Sequence, residues 1–266
     1  MSRVAALARA DWIVFASYRI RLVMSVFALL ATVVPLYFVS GALQPLMGPV
    51  IRDEAPNAFG FLLLGIAALS LVSTAVDALP MEVGAGISTG TLEALLATPT
   101  PLPVLLLGMV AFTLEWSAIR GVIFVGAGWA LGAQLVGAQL IPAAAILLLL
   151  MAVHFAFGLC AAAFVIAFRT SAAIPKAVLF ASSLLGGVYY PTHVIPSWLQ
   201  SVSAVVPMTY GLRALRRVLL QGQSLAAVGA DVGILAAFGV LFTLVGAVAL
   251  MAALRYARSQ GTLAQY

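Results

Sequence analysis

The sequence predicts an all-α integral membrane protein with six transmembrane helices, an N-terminal amphipathic interface helix and re-entrant helices before the last span. Three observations lead there. Of the 266 residues, 64% are hydrophobic and 8% charged, whereas a soluble domain is about 45–50% apolar and about 25% charged. The mean hydropathy is +1.16, too apolar for a disordered chain. The apolar residues fall into stretches near the roughly 20 residues that a spanning helix needs.

Residues 1–21 carry Arg3, Arg9, Arg19 and Arg21 against Asp11, with Val4, Leu7, Ala8, Trp12, Phe15 and Tyr18 at roughly helical spacing. That pattern predicts an amphipathic helix lying in the membrane interface. A cleaved signal peptide is the competing reading, but the next apolar run is too long for one. The first span covers about 22–43 and the second about 59–79, separated by a polar loop holding Pro49, Arg52, Asp53, Glu54, Pro56 and Asn57. A less apolar loop, 80–103, holds Glu82, Glu93, several glycines, and Pro99, Pro101 and Pro103. The third span (about 104–131) and fourth (about 141–168) are joined by a Gly/Gln turn with a short echo, Gly132-Ala-Gln-Leu135 and Gly137-Ala-Gln-Leu140. Gly128 and Gly132 make a G-x-x-x-G step, a close-packing face for membrane helices. Arg169 to Lys176 is a short connection, and a fifth span runs from about Ala177 to Tyr190.

Segment 191–228 is too broken to span and too apolar for a plain loop: Pro191, Pro196 and Pro207 interrupt it, beside Trp198, Tyr210, Arg213, Arg216 and Arg217. Short helices that dip in and return fit it, since irregular backbone at membrane depth is tolerated where protein buries it. The sixth span (about 230–253) and tail complete 229–266, and all of 1–266 forms one transmembrane domain. With both termini cytoplasmic, eight basic residues fall inside (Arg3, Arg9, Arg19, Arg21, Arg169, Lys176, Arg255, Arg258) and four outside (Arg52, Arg213, Arg216, Arg217). The positive-inside rule therefore places both termini and the 80–103 loop in the cytoplasm and 191–228 outside.

Candidate chemistry is sparse. Gly86-Ile-Ser-Thr-Gly90 matches G-x-S-x-G, but no strand precedes it, so Ser88 is read as part of a loop and not as a nucleophile. The single Cys160 excludes an internal disulfide, and two histidines, His154 and His193, give no metal-ligand spacing. His154 reads as a helix–helix hydrogen bonder. The basic balance lacks the aromatic-interleaved patch of a nucleic-acid binder, and no nucleic-acid partner is expected. Lys176, the single lysine, lies between Pro175 and Ala177, so no Walker A phosphate loop exists on this chain. Glu115 and Arg120 are charges within the third span, costly there and often functional. Five residues place them about 140° apart around a helix, so one of them is expected to pair elsewhere. With His154 they are also the best candidates for an ion-coupling site in a secondary transporter. Asp77 is read as near the cytoplasmic end of the second span.

Thr89 or Gly90 can cap a short helix over Thr91–Thr98, with Glu93 in its first turn where a carboxylate favours the dipole. Leu92, Leu95 and Leu96 line one face. An exposed leucine face on a cytoplasmic loop suggests docking into a groove of another protein; the plainer alternative is a helix lying on the membrane.

Gly90-Thr-Leu-Glu-Ala-Leu-Leu-Ala-Thr-Pro99 resembles the cytoplasmic motif of type 2 ABC transporter permeases. Tyr190-Pro-Thr-His-Val-Ile-Pro-Ser-Trp-Leu199, followed by Val206-Pro-Met-Thr-Tyr-Gly-Leu-Arg213, is similar to the same family's segment before the last span. The resemblance covers essentially the whole chain. It implies the membrane subunit of an exporter, working as a pair of permeases, here a homodimer, with two copies of a separate ATPase that binds ATP and Mg; this chain itself carries no cofactor and no catalytic residue. Thr91, Leu92, Glu93, Leu95, Leu96 and Thr98 would form the coupling helix. Tyr190, Pro191, Pro196, Trp198, Pro207 and Arg213 would belong to the extracellular re-entrant segment. Relatives often carry charges where this chain has Ile87, Ser88 and Thr89. The expected location is the bacterial or archaeal plasma membrane, among its lipids. The expected cargo is an amphiphilic, lipid-like or drug-like molecule; the alternative is a polysaccharide or lipid-linked glycan.

Overall fold

The computed structural model describes Trp12, residues 19–168 and residues 173–259. The rest of the expected interface helix, the connection from Arg169 to Ala172 and the end of the tail lie outside the described residues. Every regular element among them is helical: α1 (Arg19–Ile51), α2 (Ala58–Ser88), α3 (Thr91–Leu96), α4 (Leu102–Ala130), α5 (Leu140–Phe168), α6 (Ala173–Leu185), α7 (Ser197–Ser203), α8 (Pro207–Leu219) and α9 (Gly229–Ser259).

Five of these, α1, α2, α4, α5 and α9, are long and apolar enough to cross a membrane. The fifth expected span holds α6, whose 13 described residues, Ala173–Leu185, cover about 20 Å at 1.5 Å per residue. It ends at Leu185, because Gly186 and Gly187 turn the chain before Tyr190 is reached, Gly187 with φ 78°.

Two helices overrun the expected loops. α1 continues to Ile51 with Pro35, Pro45 and Pro49 inside it, and α2 continues through Pro80 to Ser88. Proline costs a membrane helix less than a soluble one, because neighbouring helices re-satisfy the freed backbone groups. Asp77 therefore sits well inside α2 and not near its end. The N-terminus of α2 is capped twice: Asn57 Oδ1 accepts from the Gly60 amide and Gln44 Oε1 from the Ala58 amide, both at 2.7 Å.

α2 is the central element. It packs against α1, α4, α5 and α6, and its first eight residues are all buried. α1 and α9 lie outside it and present apolar side chains outward: Val23, Phe27 and Phe38 on one, Val240, Leu244 and Val248 on the other. Such faces match lipid, which is as apolar as they are. Of the expected G-x-x-x-G pair only Gly128 is a packing position: a Cβ there would stand 2.2 Å from Leu63. Gly132 instead has φ 102° and open space around it, which makes it the turn residue after α4.

Candidate functional site

The bundle has two distinct ends. At one, Leu92 of α3 packs with Leu79 and Val83 of α2, Val165 and Ile166 of α5, and Leu250 and Leu254 of α9. α3 reverses direction from α2 through Gly90, whose φ of 72° lies in the left-handed region that glycine enters without penalty. Thr89 caps α2, its Oγ1 donating to Ala85 O at 2.8 Å, and neither Thr89 nor Gly90 gives α3 a side-chain cap.

The leucine face of α3 is not the exposed one. Leu92 is 3% exposed, seated so closely on α2 that a Cβ at Gly86 would lie 3.1 Å from its own. Leu95 and Leu96 are half-buried, while Thr91, Glu93, Ala94, Ala97 and Thr98 are exposed. An apolar face beside an apolar bundle is covered by that bundle first, and the polar face is what remains for a partner. Ser88 closes α2, its Oγ donating to Ala85 O at 2.9 Å. The G-x-S-x-G stretch is thus a helix end, with no strand-to-helix turn to expose a nucleophile.

At the other end, four loops converge on α8. Arg216 is buried: its Nη1 donates to Glu54 Oε2 at 3.1 Å, and its Nη2 donates to the carbonyls of Phe61 at 3.2 Å and Val188 at 3.3 Å. Its guanidinium carbon lies 3.4 Å from the centroid of the Phe61 ring. Burial pushes the guanidinium down to about 10 and Glu54 opposes that shift, so the group stays charged at neutral pH. Gly65 admits this arrangement, since a Cβ there would stand 2.3 Å from Val188 O.

Arg213 makes a bidentate pair with Asp231, which opens α9, and Arg217 approaches the same carboxylate at 3.5 Å. The hydrogen bond to Asp231, more than any other influence, raises the Arg213 guanidinium above its ordinary range. The Gln221 amide donates to Asp53 O at 2.5 Å, and the Val136 amide to Leu219 O at 2.8 Å. The loop after α1, the loop after α4 and the stretches around α8 are therefore tied at one end.

α7 and α8 are joined by a short turn whose side chains bond to its own backbone and to the end of α6. The Ser203 hydroxyl donates to Leu185 O at 2.6 Å, Thr209 Oγ1 donates to Ser203 O at 2.9 Å, and the Tyr210 hydroxyl donates to Ala204 O at 2.9 Å. Most of α8, from Pro207 to Leu219, is buried among α2, α5 and α9. Tyr190 donates to Leu184 O at 2.5 Å, Pro191 and Pro196 start the short turns that follow, and Trp198 projects outward, 67% exposed.

Glu115 and Arg120 do not pair with each other. Glu115 Oε2 accepts from the indole of Trp12 at 2.7 Å, and Trp12 also meets Phe112 and Trp116 edge-on. Among the described residues, the Nε of Arg120 is buried without a hydrogen-bond partner. His154 bonds within its own helix, Nδ1 to Leu150 O at 2.9 Å, and so does not bridge helices as expected. His154 and His193 stand on separate elements.

A family model described as ABC-2 type transporter matches residues 87–220. That is half of the chain, from the last turn of α2 through α3 to the residue after α8, and it takes in both ends just described. The chain belongs to the ABC-2 type transporter family. It is a multi-pass membrane permease of that family, a transport component and not itself catalytic. No curated protein matches it. Sequence reasoning found both ABC-2 motifs but missed Glu54 and Asp231, the counter-charges of the α8 arginines. Their signal was present as three arginines within five residues, with Asp53 and Glu54 in the loop after α1 and Asp231 in the first turn of α9.

Proposed function

We propose that the chain is the membrane subunit of an ATP-driven exporter, energised by a separate ABC ATPase and working as a homodimer with two ATPase copies. ATP and Mg would be held by the partner. The observation that carries this reading is α3, a short helix seated by Leu92 against the end of α2 with Thr91, Glu93, Ala94, Ala97 and Thr98 outward, inside the region that matches the family. That outward face is the coupling surface. Closure of the ATPases on ATP pushes it, and the bundle rocks. Such a shift requires that the driver bind the two states with different affinity, and here ATP on the partner supplies the difference.

The topology supports six crossings, with both termini on the α3 side and that side cytoplasmic. α5 ends among the Leu92 cluster, and Val188, a few residues after α6, sits beside Arg216 at the opposite end. α6 thus carries the chain from one end to the other despite its length. The α7–α8 segment is then the external re-entrant segment, in the cytoplasmic membrane of a prokaryote.

The test co-expresses ABC ATPases of the same organism, one at a time, with the tagged permease. One ATPase is expected to co-purify, and Glu93→Lys with Ala97→Arg to lower its recovery at least tenfold and to abolish ATP-dependent transport. Full recovery and transport in that variant would overturn the coupling surface. The first choice of cargo is an amphiphile. A glycan is the second reading, supported by Tyr189 and Trp198, which stand exposed just before α7 and within it as carbohydrate platforms do. Tyr189→Ala with Trp198→Ala should impair glycan export and spare amphiphile export if the second reading holds.

A further inference from the structure

α2 is the most enclosed of the long helices, yet one stripe of it is left uncovered. Ser70 and Met81 are exposed, and Ile66, Ser73, Thr74 and Asp77 are half-buried. At 100° per residue these six positions fall within about 100° of one another, and nearly all the intervening residues are buried. The stripe is polar where the lipid-facing stripes of α1 and α9 are apolar. A carboxylate and three hydroxyls facing hydrocarbon would be costly, so this side of α2 faces something other than lipid tails.

α6 is one of the helices packed against α2. The antiparallel register that sets Val188 beside Gly65 brings Lys176 to the level of Asp77. They form no ion pair. Among the described residues Asp77 Oδ2 accepts only from the Ser73 hydroxyl, at 3.3 Å, and Lys176 is exposed. One acid, half-buried, and one base, exposed, therefore stand at the same height, each with an exposed apolar side chain four residues further along its own helix, Met81 (70%) and Phe180 (67%).

We propose that this groove binds a zwitterionic amphiphile, with Asp77 taking its cationic group, Lys176 its anionic group, and Met81 and Phe180 its apolar tail. An ion pair of fixed length fits between two opposite charges that do not reach each other, and each protein charge then gains a partner that the fold alone does not give it. Ser73 and Thr74 supply further hydrogen bonds to the headgroup. The proposal rests on the permease reading and names the class of cargo that the groove selects.

The test measures equilibrium binding to the purified chain in nanodiscs, without any ATPase. The probes are dodecylphosphocholine, dodecyltrimethylammonium, dodecyl phosphate and dodecyl maltoside, which share one tail. For Asp77→Asn and for Lys176→Gln, affinity for the phosphocholine probe is expected to fall at least tenfold and affinity for the maltoside to stay unchanged. The trimethylammonium probe should respond to the aspartate variant alone, and the phosphate probe to the lysine variant alone. Asp77→Glu and Lys176→Arg, which keep the charges, should retain binding and guard against a folding artefact. Unchanged phosphocholine affinity in both neutral variants, or an equal loss for all four probes, overturns the proposal. Because no ATPase is present, that failure is separate from failure of the co-purification assay.

Discussion

Arg216 and Glu54 are 162 residues apart in sequence and meet at 3.1 Å, with Arg216 buried. The pair holds α8 to the loop between α1 and α2. Removing one member of a buried pair strands the other charge and costs about 3–5 kcal/mol, whereas replacing both with apolar residues is often near neutral. Glu54→Ala is therefore expected to lower the thermal midpoint of the purified permease strongly. Arg216→Met with Glu54→Leu should recover much of the loss. Thermal unfolding of the single and double variants reads this directly, and equal damage in all three would show that the two carbonyl contacts of Arg216, and not the ion pair, hold α8.

The same junction gives a contrast between two glycines. At Gly65 an added Cβ would meet backbone, Val188 O, at 2.3 Å, while at Gly126 it would meet nothing within 4 Å. Backbone cannot step aside as a flexible side chain can, and overpacking costs about 1–3 kcal/mol. Gly65→Ala should destabilise by at least that amount and displace the turn around Val188. Gly126→Ala should be neutral or stabilising by up to about 1 kcal/mol, the difference in helix propensity. Melting curves of the two variants in one detergent check both signs.

Seating and docking of α3 can be separated in the same way. Leu92 holds the helix on the bundle, and Ala97 points away from it. Leu92→Ala removes a buried side chain, a change worth about 2–5 kcal/mol in a packed core, and here felt locally. Hydrogen exchange of residues 89–98 should speed up markedly in that variant with little change in the rest of the chain. Ala97→Arg should leave exchange unchanged and affect only recovery of the ATPase. If Ala97→Arg also loosens the helix, its effect on the partner says nothing about contact.

Much of this architecture was legible in the sequence, because hydrocarbon imposes a length and a composition on each span. α4 and α5 fell within two residues of the expected ends. What escaped was set by tertiary contact. Pro80, Glu82 and the glycines of 84–90 read as a loop, but the bundle carries the helix on to Ser88. The leucines of α3 read as exposed because a period alone does not say which neighbour covers them. Ser70, Ser73, Thr74 and Asp77 have the spacing of one helix face, but only the burial of every other side of α2 shows that this face is left open. Glu54 and Asp231 looked like ordinary loop and cap charges, since sequence does not show that four loops meet at α8.

Trp12 and Glu115 connect the N-terminal segment to the middle of α4, 103 residues along the chain, through an indole bond of 2.7 Å. A hydrogen bond to a charged acceptor contributes about 1.5–3 kcal/mol, and the edge-on contacts with Phe112 and Trp116 add about 0.5–1.5 kcal/mol per aromatic pair. Glu115→Gln keeps an acceptor without the charge and should weaken the attachment modestly, while Glu115→Leu removes the acceptor. Hydrogen exchange around residue 12 should rise in the order wild type, Glu115→Gln, Glu115→Leu, with the global thermal midpoint changing by far less than in the Glu54 variants. Should Glu115 instead serve an ion-coupled step, Glu115→Gln would abolish transport while leaving exchange at residue 12 close to wild type. The two readings therefore predict opposite outcomes for one substitution.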